Sequence, residues 1–167
     1  MLRWLHTYRL IFPALLAVLL NACGSSSPVG TATTDADIQK AIDSSNWVFT
    51  ANQVMPVSGR TRQVNGNYTV VYKGQKLEVY LPYFGRATTG ADVLSGRSPL
   101  DFSTGNPAID QQQVKPGEWR IQLRPDNPEV QVMDFTFYAN GTAYLAVRMN
   151  SRSGINYNGT VRPLNRQ

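Results

Sequence analysis

The sequence has 167 residues, of which 42% are hydrophobic and 16% charged, and this is enough for one domain with its own core. It contains one cysteine, Cys23, and one histidine, His6, so an internal disulfide is excluded. The formal net charge of +5 comes from basic residues that stand singly, and this scattered charge argues against a nucleic-acid partner.

A secretory signal peptide is predicted for residues 1–22. Arg3 and Arg9 provide a positive start, and residues 10–20 follow without a charge. A positive start, a short apolar run and small residues after it are typical of such a signal. The run is also shorter than the roughly 20 apolar residues that span a bilayer. We therefore expect residues 1–22 to be removed during export.

Cys23 follows the predicted signal directly. Residues 20–23, LNAC, resemble the lipobox of bacterial lipoproteins, whose cysteine sulfur receives a diacylglycerol before the signal is cut off. A catalytic thiol would need a base, usually histidine, and His6 lies inside the predicted signal. We therefore expect Cys23 to be lipidated and to anchor the protein to the membrane, since two or three acyl chains give stable anchoring.

Small and polar residues fill the next segment, which predicts a flexible tether over residues 23–35 and a single β domain over residues 36–167. A short helix is predicted at residues 35–45, capped by Thr34 or Asp35. Its apolar face, at helical spacing, consists of Ile38, Ala41 and Ile42.

From Trp47 onward, apolar and polar residues alternate with the period of a β-strand. The alternating segments are residues 47–55, 67–72, 75–81, 118–124, 131–138, 142–150 and 155–162, with shorter strands expected near 99–103 and 109–114. Tight turns are predicted at Lys73-Gly74, Asn140-Gly141 and Ser153-Gly154. The short connections favour antiparallel neighbours. The sequence predicts an all-β fold, a single antiparallel meander of about eight strands, barrel-like, with a β-sandwich as the alternative.

The apolar side of the clearest strands predicts the core. We expect the following residues to be buried, since each lies on the apolar face of an alternating strand: Trp119, Ile121, Leu123, Phe135, Phe137, Leu145 and Val147. A slip of one residue in the register would expose the whole set.

The bend at residues 81–87, LPYFGRA, interrupts this pattern. Pro82 lacks a backbone donor, which is typical of a strand end or an edge. Gly85 is expected either to adopt a backbone angle closed to other residues or to allow a close approach. The segment that follows, residues 86–99, has little periodicity and could serve as a lid or a contact loop.

The aromatic residues of this bend have two interpretations. In the first, Tyr83, Phe84 and Arg86 form a ligand-binding lip, with the rings on an apolar or sugar face and the guanidinium on an anion. In the second, the rings plug the end of the barrel. We expect Phe84 to point inward and Tyr83 to point outward beside Arg86.

Groups for catalysis are scarce after the predicted signal. The absence of histidine and of a second thiol there excludes Ser-His-Asp triads, Cys-His dyads and ordinary zinc sites. The carboxylates of the strand region stand on different strands: Glu78, Asp101, Asp110, Glu118 and Asp134. For Asp134 we expect a salt bridge with Arg120 or Arg148. We expect no catalytic residue, no metal site, no cofactor and no enzymatic activity.

Three stretches together resemble a known family. They are the strand 47–55 with Pro56, the bend at 81–87, and the closing NGTAYLAV and INYNGTV at 140–147 and 155–161. They resemble a Bacteroidetes lipoprotein family, domain of unknown function 4251, over roughly residues 40–165. The resemblance implies an all-β fold and a secreted or anchored protein. It implies no catalytic residues, because no activity is established for the family.

We expect a lipid-anchored, non-enzymatic β domain of the bacterial cell envelope that binds a small apolar or glycan ligand or an envelope protein. The alternative is a structural accessory subunit of an envelope complex. A ligand binder should show a cavity of roughly 300 Å³ or more with converging polar groups. An accessory subunit should show a filled core and an exposed apolar patch. Because residues 24–27 are GSSS, without the acidic cluster that tends to mark surface export in Bacteroidetes, we expect an outer-membrane anchor facing the periplasm.

Overall fold

Ten β-strands and one helix are formed by residues 34–65, 67–86 and 98–164, the residues that the computed structural model describes. The predicted signal, Cys23 and most of the predicted tether and of the loop 86–99 lie outside these residues. The elements in chain order are α1 (Asp35–Asp43), β1 (Asn46–Pro56), β2 (Arg62–Gln63), β3 (Thr69–Lys73), β4 (Lys76–Tyr80), β5 (Asp101–Gly105), β6 (Ala108–Lys115), β7 (Glu118–Arg124), β8 (Val130–Tyr138), β9 (Thr142–Met149) and β10 (Ile155–Pro163). In the described part of the chain, no helix is both long and apolar enough to cross a membrane.

Helix α1 forms where the sequence supplies a cap and an apolar face. The Thr34 hydroxyl accepts a hydrogen bond from the backbone nitrogen of Asp37, and the Asp37 carboxylate accepts one from that of Thr34, which completes a capping box. Gln39 accepts a hydrogen bond from the Trp119 indole at 2.6 Å, which ties α1 to β7. The buried residues of the helix are Ile38, Ala41 and Ile42. The predicted helix, its cap and its apolar face are confirmed.

All ten strands belong to one antiparallel sheet that curls into a half-barrel. Its order is β5-β4-β3-β1-β10-β9-β8-β7-β6, and β2 pairs with β1. The two ends of this order, β5 and β6, are separated in the chain by Asn106 and Pro107 alone, so this link of about 11 Å at most holds them together. The predicted all-β, barrel-like meander is confirmed, with one sheet rather than a sandwich. β2 is an addition to the predicted strands, because Arg62–Gln63 offers no alternating apolar residue.

The β3–β4 and β8–β9 hairpin turns depend on residues with positive φ. Between β3 and β4, Gly74 and Gln75 have φ angles of 51° and 76°, so the turn lies one residue later than predicted. Between β8 and β9, Gly141 has a φ of 79°, and Oδ1 of Asn140 accepts a hydrogen bond from the first backbone nitrogen of β9. These left-handed positions allow the chain to reverse within a few residues.

The inner face of the half-barrel is packed with side chains. The seven residues predicted to be buried are each 2% exposed or less: Trp119, Ile121, Leu123, Phe135, Phe137, Leu145 and Val147. Trp47 packs edge to face on two of them, with ring centroids 5.1 Å from Phe135 and 5.0 Å from Phe137. The predicted inward faces are confirmed.

Candidate functional site at the 81–86 bend

The bend begins where β4 ends, and it runs across to the start of β10. Leu81 is buried, and its backbone nitrogen donates to the carbonyl of Leu100 at 2.9 Å. The carbonyl of Pro82 then accepts a hydrogen bond from the hydroxyl of Tyr157 on β10 at 2.8 Å. Burial, with a smaller effect from the neighbouring Tyr83, raises the pKa of Tyr157 well above its ordinary value, so the hydroxyl remains a donor. These contacts fix the path of residues 81 and 82.

Ser153 holds the second half of the bend. The Tyr83 hydroxyl donates to the backbone carbonyl of Ser153 at 2.8 Å. The Arg86 backbone nitrogen donates to Ser153 Oγ at 2.9 Å, and the Ser153 backbone nitrogen donates to the Arg86 carbonyl at 3.0 Å. Residues 83 and 86 are therefore both fixed to the turn that precedes β10.

The two aromatic rings lie the opposite way round from the prediction. Tyr83 is half-buried and packs against the core, whereas Phe84 is 39% exposed. The expectation of Phe84 inward and Tyr83 outward is therefore wrong. The physical reason is the hydroxyl: Tyr83 donates to the carbonyl of Ser153, and phenylalanine has no group that could do so.

Gly85 lies where the chain has no room for a side chain. Its φ is outside the left-handed region, so the first of the two expected reasons does not apply. A Cβ at this position would overlap the hydroxyl end of Tyr83 and would lie 2.7 Å from Ser153 Oγ. Close approach, the second expected reason, explains this glycine.

An exposed surface at this end of the sheet is here called the rim. It consists of Val57, Arg62, Phe84 and Arg86. The guanidinium carbon of Arg62, from β2, lies 4.6 Å from the centroid of the Phe84 ring, a cation–π contact. Val57 is 68% exposed, and its side chain lies close to Gly154, the residue after Ser153.

Arg62 is the rim residue that the sequence could not reveal. It stands 22 positions before Phe84 in the chain, and only the pairing of β2 with β1 brings it to this end of the sheet. Arg152 is a second unpredicted neighbour. Its guanidinium carbon lies 5.7 Å from the Tyr83 ring centroid, and its Nε lies 3.3 Å from Glu129. The structure thus brings arginines from two other segments to the rings of the bend, Arg62 to Phe84 and Arg152 to Tyr83.

Three of the five carboxylates named above make ordinary salt bridges. Asp134 pairs with Arg148 at 3.1 Å, one of the two expected partners. Glu78 pairs with Lys76, and Glu118 pairs with Lys115. Across the described ranges, no group of three or more His, Cys, Asp or Glu side chains lies close enough to hold a metal ion.

A separate groove of about 540 Å³ lies beside α1. It is lined by Asp37, Lys40, Ala41, Ser44, Asn46, Pro163 and Leu164. Asp37 is exposed, and its hydrogen bonds with Thr34 lower its pKa. The groove has the volume expected for a ligand site, but its lining includes no aromatic residue and only one side chain of each charge. It is a weaker candidate than the rim.

These features define a class of protein: an all-β domain built on one curled antiparallel sheet, with a pinned bend and an arginine-rich rim at one end. The chain belongs to the family described as Domain of unknown function (DUF4251), whose model matches residues 31–161. It is similar in structure to a DUF4251 family protein from Bacteroides eggerthii DSM 20697, with a TM-score of 0.57 and 19% sequence identity, over 81% of this chain and 91% of that chain. This similarity shows the fold alone. A comparison with curated proteins found no match.

Proposed function

We propose that this chain is a lipid-anchored, non-enzymatic β domain of the bacterial cell envelope that binds an anionic envelope component at its rim. The observation that carries the proposal is the exposed Phe84 ring, which lies under the guanidinium of Arg62 and two residues before Arg86. A ring under the Arg62 guanidinium, with Arg86 two residues further along the same bend, offers an apolar surface for a ligand and a hydrogen-bond donor for a carboxylate or a phosphate.

The charges of the rim support an anionic ligand. Arg62 and Arg86 are exposed, and within the described residues neither takes part in a salt bridge. Arg152, in contrast, already has Glu129 as its partner. Guanidinium groups stay charged at any physiological pH. The two rim arginines therefore keep their charge available to a ligand.

The packed inner face supports a site on the outside. Trp47, Phe49 and Tyr157 are each fully buried there, together with the aromatic residues of β8. A ligand held within the half-barrel would have to displace these side chains, at a cost of several kcal/mol. A ligand at the rim displaces only water.

In this proposal, the lipid anchor and the cellular location are inferred from the sequence. Residues 20–23, LNAC, support lipidation of Cys23, and the GSSS stretch after it supports an outer-membrane position facing the periplasm. The lack of histidine after the predicted signal supports a binding role rather than catalysis.

Co-sedimentation with two named probes tests the binding. The chain from residue 23 onward, with Cys23→Ser, is mixed with purified peptidoglycan sacculi and, separately, with vesicles that contain an anionic phospholipid. We expect binding to one probe that is lost in Arg62→Ala/Arg86→Ala and retained in Arg120→Ala/Arg124→Ala, a matched pair of exposed arginines on the outer face of β7 that take part in no salt bridge within the described residues. Equal binding by both double variants, or no binding to either probe, would reject the rim as an anion site.

A structural accessory subunit is the second candidate. The filled inner face and the 68% exposed Val57 favour it, because exposed large apolar residues such as Val57 and Phe84 at one end of a sheet are typical of a protein contact. In that case Val57→Ser should release the chain from a larger complex on gel filtration of solubilised membranes. Arg62→Ala should leave the complex intact.

A further inference from the structure

The strand β6 is exposed along its whole length. All eight residues of Ala108–Lys115 are exposed, although the strand is paired with β7. The residues of its inner face are Ile109, Gln111 and Gln113, which lie opposite the buried Leu123, Ile121 and Trp119 of β7. Even this inner face is exposed, so the packed core does not cover the side chains of β6.

The outer edge of β6 can accept another strand. Among the described residues, no strand pairs with β6 on the side away from β7. The backbone groups that point away from β7 therefore have no ladder partner there. Edge strands are usually protected by charges, proline or a bulge. In β6 the charges are Asp110 and Lys115, and the bulge lies between Gln113 and Lys115, so the middle of the strand, residues 111–113, carries none of these features.

We propose that β6 pairs in antiparallel fashion with β6 of a second copy of this chain, about a two-fold axis at Gln111. In an antiparallel ladder, two opposed residues point their backbone groups either towards each other or away from each other. Under two-fold symmetry both copies use the same edge of β6, so a residue that points its backbone groups towards the interface does so in both copies. Neighbouring residues point in opposite directions, so the central residue must lie opposite its own copy, and the axis passes through that residue. The positions in the middle of the strand are Gln111 and Gln112.

The charges on the outer face select Gln111. With the axis at Gln111, Asp110 lies opposite Gln112 of the second copy, and the next residue in that row is Arg120 of the second copy. From Asp110 of one copy to Arg120 of the other, the row thus contains one acidic and one basic side chain. With the axis at Gln112, the two copies of Arg120 would lie in the same row, with like charges. This self-complementarity favours a second copy over an unrelated extended segment.

Two lysine substitutions test the pairing and its register. At the axis, Gln111→Lys places two like charges directly opposite each other, whereas Gln112→Lys lies opposite Asp110. Both positions are exposed, so both variants should unfold at the wild-type temperature when the chain is dilute enough to be monomeric. In sedimentation of the detergent-solubilised full chain, we expect a wild-type dimer, about a fivefold higher dissociation constant for Gln111→Lys, and an unchanged or lower one for Gln112→Lys. A monomeric wild type, or a dimer that Gln111→Lys leaves unaffected, overturns the proposal.

Thiol cross-linking in intact cells provides a second readout. Gln111→Cys should give a disulfide-linked dimer on mild oxidation, because opposed residues lie within the reach of a disulfide. Gln112→Cys should give much less, since its copies lie about 8 Å apart in this register. The wild-type chain, whose only cysteine is Cys23, is the blank. Stronger cross-linking at 112 than at 111, or equal cross-linking by the blank, contradicts the pairing.

Discussion

Tyr83 and Phe84 are neighbours in the chain with opposite roles. Tyr83→Phe removes the hydrogen bond to the Ser153 carbonyl and should lower the free energy of unfolding by about 0.5–1.5 kcal/mol. Phe84→Ala removes a ring that is 39% exposed and should change it by less than about 0.5 kcal/mol. Urea unfolding of both variants measures the difference. A larger loss for Phe84→Ala than for Tyr83→Phe would show that Phe84 is a core residue and not part of a recognition surface.

Ionisation of the Tyr157 hydroxyl makes the free energy of unfolding depend on pH in the alkaline range. Its pKa is raised by burial above the ordinary 10.0, so above pH 10 the unfolded chain releases this proton while the folded chain keeps it. Stability should therefore fall as pH rises above 10, by up to about 1.4 kcal/mol per pH unit. Tyr157→Phe should make this slope shallower, although it loses the hydrogen bond to Pro82. Urea unfolding between about pH 8 and pH 11 compares the slopes, and identical slopes would contradict this role.

At the scale of the element, β8 contributes most clearly to the core. Phe135 is fully buried and contacts the rings of Trp47, Phe49 and Phe137. Phe135→Ala should cost about 3–5 kcal/mol in the free energy of unfolding. Thr136→Ala, on the other face of the same strand, should cost less than about 1 kcal/mol. Chemical denaturation provides both values, and a cost under about 1 kcal/mol for Phe135→Ala would mean that the inward face is wrongly assigned.

The sequence predicted the elements well because their signals are local. Alternation placed Trp119, Ile121 and Leu123 inside, and helical spacing placed Ile38. It could not predict which strands meet, since the pairing of β1 with β10 joins residues about a hundred positions apart. For the same reason, only two of the four rim residues could be predicted from the sequence. Phe84 and Arg86 stand in one bend, whereas Arg62 reaches Phe84 only through the tertiary fold.

At the scale of the whole molecule, the proposed lipid anchor would decide where the rim acts. Cys23→Ala should leave the protein unprocessed or outside the membrane fraction, because no other cysteine is present to carry the lipid. Fractionation of cells, with mass spectrometry of the product, measures both effects. Recovery of the variant in membranes at the wild-type processed mass would reject the lipid anchor.

Photo-cross-linking in intact cells tests the rim most directly. A photoreactive phenylalanine at position 84 is compared with one at position 138, since Phe84 and Tyr138 are 39% and 38% exposed and lie at opposite ends of the sheet. We predict an adduct with an envelope component at position 84 alone, and its loss when Arg62→Ala and Arg86→Ala are added. Adducts of equal yield at both positions, or an adduct at 84 that does not depend on the two arginines, would contradict recognition at the rim.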